Sequence, residues 1–246
     1  MEKHFELTQE FKINFLGIKL FRIKATRKSK YANTKDLGGW VEKDANLSGD
    51  AWVYGDAEVY GNAMVYGDAE VYGNARVYGD ARVYGNARVY GDARVYGNAR
   101  VYGDAVVYGN ARVYGDARVY GNAWVSENAV VYGNAMVYGN ARVYGNAVVY
   151  GNARVYGDAR VYGNAWVSGN AETKSNDDYC YFQNFGSQNR TTTFFKEKKN
   201  KIKVNCGCFS GSIEEFEKQV KETHGEGKNA KEYLSIIEVV KIKFEL

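Results

Sequence analysis

A six-residue period runs through the middle of this chain and restricts its fold more than any other feature. From Val41 to Glu172 the sequence divides into 22 consecutive hexads without an insertion, most of them reading Val-Tyr-Gly-Asp/Asn-Ala-x. Val53-Tyr54-Gly55-Asp56-Ala57-Glu58 and Val95-Tyr96-Gly97-Asn98-Ala99-Arg100 are typical. The first two hexads, starting at Val41 and Leu47, are degenerate but in register. A fixed short period is the mark of repeat architectures, in which each unit packs only on its neighbours. Within a hexad Ala, x, Val and Tyr alternate as strand residues do, so Ala and Val share one face and x and Tyr the other. Gly-Asp or Gly-Asn then supplies a corner, because these residues tolerate positive φ. Strands this short cannot form hairpins. They can form a three-faced coil with Val and Ala filling a narrow interior. Three hexads make an 18-residue coil, so the array gives a little over seven coils, roughly 35 Å tall at ~4.8 Å per coil. The 246 residues include no proline, as continuous strand ladders require, since each lost N–H would break a stack.

Tyrosine occupies the second position in 18 hexads. Each then has a neighbour one coil away, giving ladders such as Tyr66, Tyr84, Tyr102 and Tyr120, stabilised by ring stacking. From Asp68 to Asn122 the corner residue alternates Asp and Asn. On an 18-residue coil this places Asp80, Asn98, Asp116 and Asn134 along one edge, so like-charged carboxylates do not meet within that stretch. The outward x positions sort by face. The first reads Asn46, Met64, Arg82, Arg100, Arg118, Met136, Arg154, Glu172. The second reads Trp52, Glu70, Arg88, Val106, Trp124, Arg142, Arg160. The third reads Glu58, Arg76, Arg94, Arg112, Val130, Val148, Trp166. After Trp124 and Trp166 the next outward residue is Ser126 or Ser168 instead of Tyr, which relieves bulk beside bulk.

The flanks differ in composition. Residues 1–40 read as an N-terminal cap. Phe11–Phe15 and Ile18–Ile23 alternate around Leu16-Gly17 as a β-hairpin, and a solenoid end needs covering. Residues 173–246 read as a small α+β domain, with strands at Tyr179–Gln183, Thr191–Phe195 and Lys201–Asn205. Ser212-x-x-Glu215 is a capping box opening a helix to about Thr223, ended by His224-Gly225. A second helix is expected from Ala230 to about Phe244, with Tyr233, Leu234, Ile237 and Val240 on one face.

The array resembles the bacterial hexapeptide-repeat superfamily, whose unit carries an aliphatic residue first and a small residue fifth, as Val and Ala do here. The departure is Tyr at position two. The resemblance implies a left-handed parallel β-helix, hence an all-β solenoid of three hexads per coil and about seven coils. Thr191-Thr192-Thr193-Phe194-Phe195, Cys206-Gly207-Cys208-Phe209, Val220–Gly225 and the Asp36-Leu37-Gly38-Gly39 entry look like those of phage- and prophage-encoded proteins, which often carry a generic acyltransferase label. That resemblance implies no established activity.

Enzymes on the superfamily's fold use a histidine base beside acyl-CoA, or three histidines on a metal. This chain has two histidines, His4 and His224, both outside the coils. No phosphate-cradling loop, nucleophile elbow or carboxylate pair is present. The expectation is therefore a non-enzyme without cofactor or metal. An acyltransferase with an atypical site, drawing a base such as His224 from a flank, is the last alternative. Cys180, Cys206, Cys208 and His224 could form a zinc site only with unusual spacing, and reduced thiols fit three cysteines better. No 18-residue apolar run and no secretory leader is seen, so a cytoplasmic protein is expected, in the host cytoplasm if phage-encoded.

Two binding expectations remain. In the first, arginine rows flanked by tyrosine ladders capture an anionic, nucleotide-like small molecule or a host protein: Arg82, Arg100 and Arg118, or Arg76, Arg94 and Arg112, beside Tyr84, Tyr102 and Tyr120. The competing explanation pairs those arginines with the corner aspartates. In the second, the apolar patch Val130, Val148 and Trp166 drives assembly, for example as a trimer. The net charge of +4 is uneven: residues 1–40 carry nine basic and four acidic residues, the coils 11 and 14, and the tail 13 and 11. A mildly acidic array argues against generic nucleic-acid binding.

Overall fold

Alternation within the hexad puts Val and Ala inside, and their burial is complete along the array: Val83, Ala99, Val101, Ala117 and Val119 are each 0% exposed. A computed structural model describes residues 3–186, 188–198 and 201–246. The hexads form a parallel β-solenoid of about seven turns, with three sheets as its faces. From Trp52–Val53 to Arg154–Val155, each array strand pairs in parallel with the strand 18 residues on. Arg82, Arg100 and Arg118 are in register on one face, and Arg76, Arg94 and Arg112 on another. Backbone bonds such as Arg82 N–H to Ala99 O, 2.9 Å, tie each rung to the next.

The corners explain the glycine at position three. Gly97 sits at φ +68°, and a Cβ there would lie 3.0 Å from Gly115 N in the next coil. Left-handed geometry and close backbone approach both demand glycine. Apart from Lys43 in the degenerate first hexad, which is extended at φ −151°, the exception is Glu127 at φ +58°. Its Oε2 accepts the N–H of Gly145 at 2.9 Å, an offsetting bond. The Asp/Asn alternation becomes a hydrogen-bonded edge: Asn62 Nδ2 donates to Asp80 at 3.1 Å and Asn98 Nδ2 to Asp116 at 3.0 Å.

The N-terminal hairpin forms as expected, with strands Phe5–Ile13 and Lys19–Ala25. It is continuous with the solenoid. Strand Leu37–Val41 pairs antiparallel with Lys19–Ala25 and parallel with Glu58–Val59, so the third face is one ten-stranded sheet. Phe5 and Ile23 close the interior at that end. Ala51 O points out of the first coil, and His4 Nε2 caps it at 2.9 Å. His4 is 2% exposed, and burial holds its imidazole below the ordinary value of 6.5. In the unfolded chain the imidazole titrates normally, so the unfolded state binds more protons below about pH 6.5. Stability from this site should be intact above that pH and lost as pH falls below it. Thermal melts of wild type and His4→Gln should converge as pH drops from 7.5 to 5. Parallel curves for the two would contradict a neutral buried imidazole.

At the other end, strands Tyr179–Phe185, Arg190–Lys196, Ile202–Cys206 and Phe209–Ser212 form an antiparallel meander. The sheet is a divider. Phe195 and Tyr179 join the solenoid core, while Phe194, Val204 and Cys206 pack on helices α1 (Ile213–His224) and α2 (Lys228–Phe244). Ser212 and Glu215 form the expected capping box. Side chains of this domain satisfy the last rung's backbone. Asn176 Oδ1 accepts from Arg160 N and the Tyr179 hydroxyl donates to Arg160 O. Thr193 Oγ1 accepts from Trp166 N, and Asn205 Nδ2 donates to Trp166 O.

Candidate functional site

The flat faces carry the charge. Arg82, Arg100 and Arg118 stand exposed on three successive rungs of the first face. Strand pairing sets their backbones ~4.8 Å apart. Like charges at that spacing repel, so carboxylates were expected nearby. Among the described residues, the only ion pair of an array arginine joins Arg76 Nε to Glu58 Oε2 at 3.6 Å. The pairing of arginines with corner aspartates is therefore corrected. The aspartates aim along the edge at the asparagine of the adjacent coil, away from the flat face. The other row is less free, because Arg76 also lies over the Phe15 ring at 4.8 Å.

The tyrosines stack as ladders. Tyr84 and Tyr102 are 4.9 Å apart and nearly parallel, as are Tyr102 and Tyr120. Tyr66 covers the far side of Tyr84 and Tyr138 that of Tyr120. Both ring faces of all three are thus occupied, and no base can stack there. This corrects their expected role: they offer ring edges and hydroxyls. Burial raises the Tyr102 and Tyr120 phenols, which keeps them protonated donors.

The apolar patch is also in register. Val130 and Val148 are half-buried, and Trp166 beside them is 45% exposed.

Two further cavities are instructive, the first at a place where sequence reasoning put no site and the second around residues weighed as a zinc site. The larger, about 920 Å³, sits at the N-terminal end between Lys3, His4, Arg27, Asp50 and the corner glycines Gly67 and Gly85. Its cations are neutralised by Lys3–Asp44 and Arg27–Asp50 pairs. It assembles from residues far apart in sequence, so no local pattern announces it. The second, about 460 Å³, brings Cys206, Cys208 and His224 together with Arg190 and Tyr233. Among the described residues no three metal-ligating side chains converge. Cys206 is instead bonded to Thr192 Oγ1 at 3.1 Å. Cys180 lies elsewhere, its thiol pushed up to about 11 by burial. His224 stacks on Tyr233 at 6.0 Å, and His4 is committed to Ala51 O.

No helix among the described residues is long and apolar enough to cross a membrane. No curated protein matches the chain. The family model described as YdcK Beta solenoid repeat matches in overlapping segments from residue 69 to 169, inside the array and under half of the chain. Over that span the chain is similar to the YdcK repeat, and its array is a parallel β-solenoid.

Proposed function

We propose that the protein is a non-catalytic, rigid scaffold that captures an anionic, nucleotide-like ligand on the Arg82–Arg100–Arg118 row. The supporting observation is the row itself: three exposed guanidiniums on adjacent rungs, none paired with a carboxylate among the described residues. Guanidinium is the side chain best suited to bidentate phosphate contact. The neighbouring phenols add hydroxyl donors at the row's margin. A phage origin, suggested by the resemblance in the flanks, would put this capture in a host cytoplasm.

Binding of a 5′-phosphorylated, 3′-fluorescein-labelled trinucleotide, which carries three phosphates, followed by anisotropy across salt concentrations, tests the reading. Three phosphate contacts should give a slope of log affinity on log salt near −2, at roughly −0.7 per contact. Absence of binding, or affinity independent of salt, would count against it.

A second reading, assembly through the third face, draws on the in-register patch of Val130, Val148 and Trp166. Native mass measurement of wild type and Val148→Glu addresses it. Loss of a trimer in the variant supports assembly, and a monomer in both excludes it.

A further inference from the structure

The second face has a tyrosine row with one ring missing. Tyr54, Tyr72, Tyr90 and Tyr108 succeed one another, then Ser126 replaces tyrosine, and Tyr144 and Tyr162 follow. Two rungs of ~4.8 Å leave roughly 10 Å between Tyr108 and Tyr144. Tyr162 covers one face of Tyr144 at 5.3 Å. No ring covers the other, among the described residues. Above the gap, Trp124 presents edge-on to Tyr108 at 6.3 Å, and the Arg142 guanidinium lies 4.9 Å from the Trp124 ring. What remains is a cavity of about 170 Å³ lined by these groups with Ser126, Glu127 and Arg160.

The same Trp-Val-Ser sequence recurs at Trp166-Val167-Ser168, and there the gap is closed. Asn205 of the C-terminal domain reaches in and donates to Ser168 Oγ at 2.8 Å. At Ser126 no segment from the flanking domains enters, among the described residues; Ser126 is 5% exposed and forms the floor of the cavity beneath Trp124.

We propose that the gap at Ser126 is a binding slot for one planar aromatic ring carrying an amino group and a phosphate, the chemistry of an aminopurine mononucleotide. The size suits a ring, since a cavity of about 150 Å³ holds benzene. The open face of Tyr144 supplies stacking of a kind worth ~1–3 kcal/mol per base. Glu127 is held by its Oε2 on Gly145 N–H, which leaves its other oxygen for an N–H donor on the ring edge. Arg142 and Arg160, exposed and in register, lie beside the slot without a carboxylate partner among the described residues and take the phosphate. This site is on a different face from the Arg82 row, so either can fail without the other.

Trp124 is 38% exposed and reports directly. Titration with adenosine 5′-monophosphate should quench tryptophan emission saturably. Adenosine alone and inorganic phosphate should each bind at least 10-fold more weakly. Ser126→Tyr restores the missing ring and should abolish the response while melting no lower than wild type. Tyr144→Leu should weaken binding at least 10-fold, and Lys218→Gln, exposed on helix α1 and far from both arginine rows, should leave it unchanged. The proposal is overturned if the mononucleotide gives no saturable response, if adenosine binds as tightly, or if Ser126→Tyr and Tyr144→Leu bind like wild type.

Discussion

A chain ending at Thr173 is expected to self-associate into large, concentration-dependent assemblies. The reason lies in the last rung. Its outward backbone groups, Arg160 N and O and Trp166 N and O, are satisfied by Asn176, Tyr179, Thr193 and Asn205. Asn170 N is likewise held by Glu197. Phe195 and Tyr179 cover the apolar interior. Removing residues 174–246 strips all of this at once and leaves an unpaired sheet edge around an apolar plug. Such edges template pairing with another chain, and terminal caps keep repeat proteins soluble. Light scattering should show mass growing with concentration, where the full chain keeps one mass. A truncated chain of constant mass that melts with the full chain would show that the C-terminal domain is no cap.

Val101→Asp should break the solenoid, while Arg100→Asp, one residue earlier, should be almost silent. Val101 is fully buried between Val83 and Val119. The interior offers aliphatic atoms and no polar partner, so a carboxylate there is desolvated without compensation. The cost should exceed ~4 kcal/mol, the range of exceptional mutations. Arg100 faces solvent, and a surface change of this kind shifts stability by about 0.5 kcal/mol or less. Because coils contact only their neighbours, the damage should be local at first. Hydrogen exchange should show lost protection in the coils flanking residue 101 in the first variant and none in the second. Similar melting of the two would mean that adjacent residues do not face opposite ways.

Much of this was legible in the hexad. Val and Ala inside, tyrosine ladders outside and corners of Gly-Asp/Asn all follow from alternation, since a period of two leaves each residue one face. The corner alternation was legible as charge avoidance, and the structure adds the Asn-to-Asp bonds that exploit it. Harder to read were features that depend on direction or on distant segments. Pairing of Arg82 or Arg100 with corner aspartates looked natural from proximity in sequence, but the carboxylates run along the edge. The stacking role of Tyr84, Tyr102 and Tyr120 failed because each ring already uses both faces. The merging of the hairpin into the third face depends on how Leu37–Val41 pairs, which no local pattern states. Strand Phe209–Ser212 was missed because Phe-Ser-Gly-Ser carries a single apolar residue and no alternation. The gap at Ser126 was visible as a lost tyrosine. That a cavity remains beside it, while Asn205 enters the one at Ser168, depends on a distant segment that no local pattern states.

The most direct test of the scaffold reading compares three proteins with one ligand. Affinity for the labelled trinucleotide should be measured at low salt for wild type, for Arg82→Gln/Arg100→Gln/Arg118→Gln, and for Arg76→Gln/Arg94→Gln/Arg112→Gln. Loss of the first row should weaken binding at least 100-fold, with ~1 kcal/mol or more per guanidinium–phosphate contact. Loss of the second row, where Arg76 is tied to Glu58 and Phe15, should weaken it less than 10-fold. Equal, small effects from both triple variants would contradict capture on the Arg82–Arg100–Arg118 face.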